Sequence, residues 1–454
     1  MSLRSVAGGN GQAAAKRMVV TAGPRMADLP HLRGATADVK RAVRVVASVL
    51  PFKVNNYVVE ELIDWSRVPD DPIYQLTFPQ AGMLAGEDFD RVAATLDGAE
   101  AGQRTQTVAH GVRLALNPHP GDQLERNRPR LEGEVVNGLQ HKYRETLLIF
   151  PAAGQTCHTY CGYCFRWAQF VGTLDLRQGL RKPDTAVTYL REHPEVTDVL
   201  YTGGDPLVMA APVLRRFVDP LLAGDLEHVR NIRFGTKALS YWPYRFTSDR
   251  DAGQILRLLE DCVAAGRHVA VMAHFSHPRE LDTPVVAEAI RLVRNTGAVI
   301  RAQAPLVRHV NDKAAIWSTM WRALVRHGCI PYYMFVERDT GARRYFEVPL
   351  SRAFAVYRDG IAQVSGLERT ARGPVMSTSP GKIIIDGIAD IAGERVFALR
   401  FLQARNPDWV ARPFFARYTS KTVWLDGLRP AFGQAEFFHE RDHVQDWRQT
   451  AALN

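Results

Sequence analysis

The run Thr146-Leu147-Leu148-Ile149-Phe150-Pro151-Ala152-Ala153-Gly154-Gln155-Thr156-Cys157-His158-Thr159-Tyr160-Cys161-Gly162-Tyr163-Cys164 joins a short apolar strand to a loop with three cysteines at the spacing CxxxCxxC. Three thiolates so spaced suit one 4Fe-4S cubane and leave its fourth iron without a protein ligand. A cluster that only carries electrons takes four thiolates. An open iron can instead chelate the amino and carboxylate groups of S-adenosylmethionine and pass an electron into its sulfonium. The spacing therefore predicts reductive cleavage to a 5'-deoxyadenosyl radical, which can take hydrogen from an unactivated carbon.

Zinc is the first alternative, with His158 as a fourth ligand. However, His158 follows directly on Cys157, and adjacent ligands rarely reach one tetrahedral ion without strain. A non-catalytic iron-sulfur or zinc protein is the rival class. The other two cysteines, Cys262 and Cys329, lie in apolar stretches where a free thiol packs as a small hydrophobe, so no disulfide framework is expected. This usage fits a reduced, cytoplasmic protein whose clustered thiols bind metal.

A chain of 454 residues can bury a large core and is expected to hold one catalytic domain with flanking elements. No apolar run approaches the roughly 18 residues of a membrane helix, so no membrane partner is expected. The start, Met1 to Met26, is rich in Gly and Ala and lacks a signal-peptide core; residues 1–43 read as a disordered or extended arm. The formal charge of +9 comes from dispersed arginines without an aromatic-basic pattern, which argues against a nucleic-acid partner.

Outward from the cysteines, residues 44–140 read as a helical N-terminal region, with Glu87 to Leu96 as one helix. Residues 141–340 alternate. Strands are expected at Thr146–Phe150, Asp198–Tyr201, Val229–Gly235, His268–Phe275, Ala298–Ala304 and Ile330–Val336. Helices are expected between them, among them Pro183–His193 and Pro284–Asn295. This order predicts an α/β fold with parallel strands and outer helices, whose reactive groups collect at the carboxyl edge of the strands. Residues 341–454 read as a small α+β extension with strands near Ile383–Ile385, Val396–Phe401 and Arg412–Tyr418. Its aromatic tail, including Trp409, Phe414, Phe415, Trp424 and Phe432, can pack as core, as a cap or between copies of a homo-oligomer.

Unusual residues do follow each strand. After the first come the cysteines, then Gly203-Gly204-Asp205, then Lys237, then His274 and His277, with Gln303 in the fifth strand and Glu337-Arg338-Asp339 after the sixth. Gly203-Gly204 lets backbone approach the methionine end of a nucleotide, and Asp205 is expected to accept from its ammonium group. Tyr163 can contact adenine or pack in the core. Gln303 completes the expected S-adenosylmethionine set.

The CxxxCxxC loop, with Thr202-Gly203-Gly204-Asp205-Pro206-Leu207, His274-Phe275-Ser276-His277-Pro278, Val310-Asn311-Asp312 and Pro331-Tyr332-Tyr333 in that order, resembles the lysine 2,3-aminomutase family of the radical S-adenosylmethionine superfamily. The resemblance runs from about Asp64 to Lys382. It implies a partial (β/α)6 barrel, a flavodoxin- or ferredoxin-like electron donor, and a small amino-acid-like substrate whose amino group migrates while carried by pyridoxal phosphate. It also implies Lys382, in Ser379-Pro380-Gly381-Lys382, as the coenzyme lysine, a solvent-exposed lysine being the alternative, and Arg166 as the ligand of the substrate α-carboxylate.

The chain departs from the family in three places. Thr146 stands where an arginine contacts the coenzyme phosphate, with Arg144 nearby. Arg338 and Thr378 stand where the family has aspartates that read the distal ammonium of lysine. A base in place of an acid inverts the preferred charge, so a distal carboxylate or an uncharged tail fits Arg338 better than lysine does, provided that Arg338 points inward. A radical enzyme without pyridoxal phosphate, acting by dehydrogenation, epimerisation, rearrangement or protein side-chain modification, remains the alternative within the superfamily.

Overall fold

The computed structural model describes residues 16–96, 101–117, 126–171 and 177–441. Its centre is one eleven-stranded sheet in which neighbours in sequence are neighbours in space. The strands are β1 (Leu139–Tyr143), β2 (Thr146–Ile149), β3 (Asp198–Tyr201), β4 (Asn231–Thr236), β5 (His268–His274), β6 (Val299–Leu306), β7 (Ile330–Val336), β8 (Arg372–Ser377), β9 (Gly381–Ile391), β10 (Glu394–Ala404) and β11 (Pro413–Arg417). Strands β2 to β8 run parallel, and β1 and β9 to β11 add antiparallel at the two ends.

Helices connect the parallel strands because the sequence punctuates them locally. In Pro284–Asn295 the side chain of Thr283 accepts from the Val286 N–H, and Pro284 occupies the first turn, where its missing N–H costs nothing. Val286, Ala289, Ile290 and Val293 are buried at the 3–4 spacing of one helical face, and Gly297 at φ +86° turns the chain toward β6.

The strands alternate with period two. In β4, Ile232 and Phe234 are buried under the helices, while Arg233 and Gly235 face a cleft on the other side. The same parity puts Met272 and His274 of β5 and Gln303 and Pro305 of β6 into that cleft. The sheet is open, since β1 and β11 share no ladder, yet it curls. The Lys142 ammonium of β1 donates to the Thr378 carbonyl beyond β8, and Lys382 of β9 lies 5.4 Å from the Tyr143 ring. Strand β1 and the start of β9 thus face each other across the concave side.

Three sequence expectations change. A seventh parallel strand, β8, carries the extension into the main sheet, so β9 to β11 continue one sheet rather than forming a separate small unit. Among residues 16–43 the expected arm is structured: Val20–Ala22 pairs with Lys53–Asn55, a helix begins at Ala37, and Met26 and Leu32 are fully buried, so apolar contact outweighs the Gly/Ala-rich composition. Residues 1–15 lie outside the described residues. In the tail, Trp409, Phe414 and Trp424 are buried in a second core against β9 and β10, whereas Phe432 is exposed. No helix among the described residues is long and apolar enough to cross a membrane.

Candidate active site

The cysteine loop leaves β2 and is pinned by the N-terminal region rather than by the sheet alone. Tyr160 N–H donates to the Lys53 carbonyl (2.8 Å) and Gly162 N–H to the Leu76 carbonyl (2.8 Å). Buried Asn55 donates through its N–H to Thr159 Oγ1 (3.2 Å) and, through Nδ2, to the His158 carbonyl (3.4 Å). Across the loop, a Cβ on Gly204 would stand 2.3–2.5 Å from the Thr156 backbone, so only glycine lets the β3 turn pack there. Gly203 has φ +144°, a region that side chains rarely adopt.

Cys157, Cys161 and Cys164 all line one cleft of about 350 Å³. Burial pushes the Cys157 thiol far up and Cys164 to about 12, with neighbouring cysteines adding to both, so these side chains need a metal to become thiolates. Among the described residues no three His, Cys, Asp or Glu side chains converge as ligands of a single ion. Three thiols on one loop that open onto one cleft are the donor set that a cluster with one open iron uses. His158 does not join the cysteines. Its Nδ1 lies 4.0 Å from Asp205 Oδ2, and burial brings its pKa down to about 3.

Gly203, Gly204, Asp205, Tyr163 and Gln303 all line the same cleft, and within it the Asp205 carboxylate is engaged by the protein itself. Its carboxylate is 2 % exposed and accepts from Leu207 N–H (2.9 Å), Lys237 N–H (2.9 Å) and Thr236 Oγ1, which reaches both oxygens at 2.7 and 2.8 Å. With its lone pairs so engaged, Asp205 joins the turns after β3 and β4 and is not free for a ligand ammonium. Gln303 Nε2 is 3.0 Å from His274 Nε2. The Tyr163 hydroxyl is 3.1 Å from Ser276 Oγ in the packed interior, and the residue also lines the cleft.

From the other end of the sheet comes Lys382, which is cleft-lining and not a solvent-exposed lysine. A turn closed by Thr378 Oγ1 on the Gly381 carbonyl (2.8 Å) sets it at the start of β9, where Nζ donates to Gln403 Oε1 (2.6 Å). Burial, and then the charges of Arg233 and Arg372, bring its pKa down to about 7, so much of the amine is neutral near neutral pH. A neutral amine is what covalent attachment of pyridoxal phosphate requires.

Arg166 and Arg338 also line the cleft. Arg166 is buried, with its guanidinium 4.4 Å from the Phe150 ring centre, and burial brings its pKa down to about 10. Arg338 turns inward: it stacks by Phe165 and Trp424 and makes no ion pair with Glu337, whose two oxygens have no hydrogen-bond partner among the described residues. Thr146 is in the cleft, whereas Arg144 is exposed and does not line it.

Sequence reasoning missed several groups. Lys53, from the N-terminal region, donates to Thr156 Oγ1 (2.6 Å) and covers the Tyr160 ring at 4.6 Å. No local signal marks it. Lys237 was noted only for following β4. Its ammonium binds the fully buried Glu280 (2.7 Å), which also accepts from Ser276 N–H (2.5 Å). Arg233, a charge inside an apolar strand, pairs with Asp198 at 2.7 Å and could have been flagged by its parity.

No family model matches the chain. The putative L-lysine 2,3-aminomutase of Aquifex aeolicus is 29% identical over 400 residues, covering 88% of this chain and 93% of that protein. The L-lysine 2,3-aminomutases of Fusobacterium nucleatum and Escherichia coli are 27% and 28% identical over 235 and 233 residues, and the match spans 52% and 64% of their lengths. Streptococcus suis SuiB bound to S-adenosylmethionine superposes with a TM-score of 0.34 at 11% identity, over 60% of this chain and 56% of that one. The cysteine spacing, the motifs that follow each strand and the similarity to the Aquifex protein over 88% of this chain support reading it as a divergent relative of the lysine 2,3-aminomutase family of radical S-adenosylmethionine proteins.

Proposed function

We propose that this protein is a radical S-adenosylmethionine aminomutase acting on a small amino-acid-like substrate, built on the family's partial (β/α)6 barrel. One observation carries the reading: the three cysteines from one end of the sheet and Lys382 from the other open onto the same cleft. Cys157, Cys161 and Cys164 would hold the 4Fe-4S cluster, and Lys382 would hold pyridoxal phosphate. When bound, these groups and S-adenosylmethionine supply a hydrogen-abstracting 5'-deoxyadenosyl radical and a carrier for the amino group.

The chain's own residues do the rest. Gly203 and Gly204 bring backbone close to the nucleotide, Gln303 and Tyr163 wall it, and Asp205 holds the two turns in place. Arg166 offers a planar guanidinium to an α-carboxylate. The aromatic walls keep water from the reacting carbon. An external donor such as flavodoxin or ferredoxin would supply the electron, and the five cysteines, all free, suit a reducing cytoplasm.

The test is an ultraviolet-visible spectrum of anaerobically purified protein, taken with and without borohydride, followed by reduction in the presence of S-adenosylmethionine. The expected results are a cluster band, a reduced coenzyme adduct on Lys382, and 5'-deoxyadenosine. Absence of 5'-deoxyadenosine would overturn the radical chemistry. With 5'-deoxyadenosine formed but no adduct, and Lys382→Ala fully active, the amino-migration part falls and a coenzyme-free radical reaction takes its place.

A further inference from the structure

The cleft has an excess of positive charge. Six basic side chains and two carboxylates line it. Arg233 is neutralised by Asp198 and Lys237 by Glu280, Lys142 donates to the Thr378 carbonyl, and Lys382 rests on a neutral acceptor, Gln403 Oε1. Of the two carboxylates, Asp205 is occupied by Thr236 and two backbone N–H groups. Glu337 is held toward its protonated form by burial and then by Glu347, so it cancels little charge and can donate a hydrogen bond.

Arg166 and Arg338 remain. Among the described residues Arg166 has no ion pair, and its Nη1 is buried without a hydrogen-bond partner. Among the described residues the one ion pair of Arg338 is with Asp339, at 3.5 Å; Asp339 does not line the cleft, and Arg338 Nε is buried without a hydrogen-bond partner. Both guanidinium groups stand against Phe165, at 4.9 and 5.6 Å from its ring centre, so their central carbons are at most the sum of these apart, 10.5 Å. Phe150 on Arg166 and Trp424 on Arg338 fix their orientation.

From this pair we infer that the substrate is an amino acid with two carboxylates, one received by Arg166 and the distal one by Arg338. The inference rests on the proposed function and names the substrate class of that same site. The carboxyl carbons of a four- or five-carbon dicarboxylic amino acid lie roughly 4–5 Å apart, and a guanidinium paired with a carboxylate stands about 4 Å from its carbon. An extended chain of ion pairs can therefore span the available distance. An uncharged tail would leave the buried Arg338 with Asp339 at 3.5 Å as its counter-charge and no hydrogen bond on Nε, and a distal ammonium would add repulsion.

Binding to the cluster-loaded protein with S-adenosylmethionine, measured anaerobically by calorimetry, compares L-glutamate and L-aspartate with L-lysine and L-norleucine. At least one dicarboxylic amino acid should bind about tenfold or more tighter than the other two, as loss of a charge-assisted pair predicts. Arg338→Gln should abolish that preference and Arg338→Lys should keep part of it, with circular dichroism confirming the fold. If lysine or norleucine binds as tightly to the wild type, or if folded Arg338→Gln retains the preference, the inference is overturned; should the variants not fold, the wild-type ranking decides. Glu337→Gln should leave the ranking unchanged, and a lysine preference lost in this variant would instead assign the distal contact to Glu337. Formation of 5'-deoxyadenosine in parallel samples reports separately on the radical chemistry, so the two readings can fail independently.

Discussion

Replacing Asp205 by asparagine separates a structural carboxylate from a ligand-binding one. Each Asp205 oxygen accepts from one backbone N–H, Leu207 on Oδ1 and Lys237 on Oδ2, and the Thr236 hydroxyl adds to both. An amide can accept on only one side, so its NH2 group must face one of the two backbone donors. That exchange removes a charge-assisted hydrogen bond and leaves a buried N–H unanswered, at about 1.5–3 kcal/mol. Relief of the burial that raises the Asp205 pKa offsets part of this, leaving a net loss of about 1–3 kcal/mol. Urea unfolding of the cluster-free protein measures the loss, and equilibrium binding of S-adenosylmethionine to the reconstituted variant measures the contact. The unfolding midpoint should fall while affinity changes less than about threefold, about 0.65 kcal/mol. A tenfold loss of affinity with an unchanged midpoint would refute the structural role and restore Asp205 as a ligand of the ammonium group.

The remaining predictions concern the same cleft. Borohydride trapping of pyridoxal phosphate on Lys382 should rise with pH through about 7, because the neutral amine that reacts gains population as pH passes its folded pKa; a midpoint near 10 would contradict the buried setting. Gly204→Ala should lower iron bound per chain, since its Cβ would overlap the Thr156 backbone, whereas Gly235→Ala, with its nearest atom at 3.4 Å, should bind iron normally. Equal iron content in both would remove the packing argument. Lys237→Met should destabilise the cluster-free protein by about 3–5 kcal/mol by leaving fully buried Glu280 without its cation. Denaturant unfolding checks this, and adding Glu280→Gln should recover part of the loss.

Much of the parallel-sheet region is legible locally. The helix Pro284–Asn295 and the strands Asp198–Tyr201 and Ile330–Val336 occur where expected, because a proline at the first turn, a 3–4 apolar spacing or a short apolar run bounded by polar turns act within a few residues. The strand Arg372–Ser377 was not legible. It contains Gly373-Pro374, residues unfavourable in a central strand, and the sheet accommodates them with a shift of register against Tyr333 and Phe335. The ordered segment from Val20 to Val49 also escaped composition, since its burial depends on partners further along the chain.

By itself the sequence determined the cysteine spacing, the alternation of strands and helices, and the rim on which the unusual residues fall. Tertiary structure alone decided what those residues face. Asp205 is spent on Thr236 and Lys237, 31 and 32 positions away, while Lys382 reaches across the curled sheet to Tyr143 and Arg338 turns in against Phe165. The physical reason is range: propensity and periodicity act over one or two turns, whereas a side chain's charge state and hydrogen-bond partners are fixed by groups that only the closed fold brings within a few ångströms.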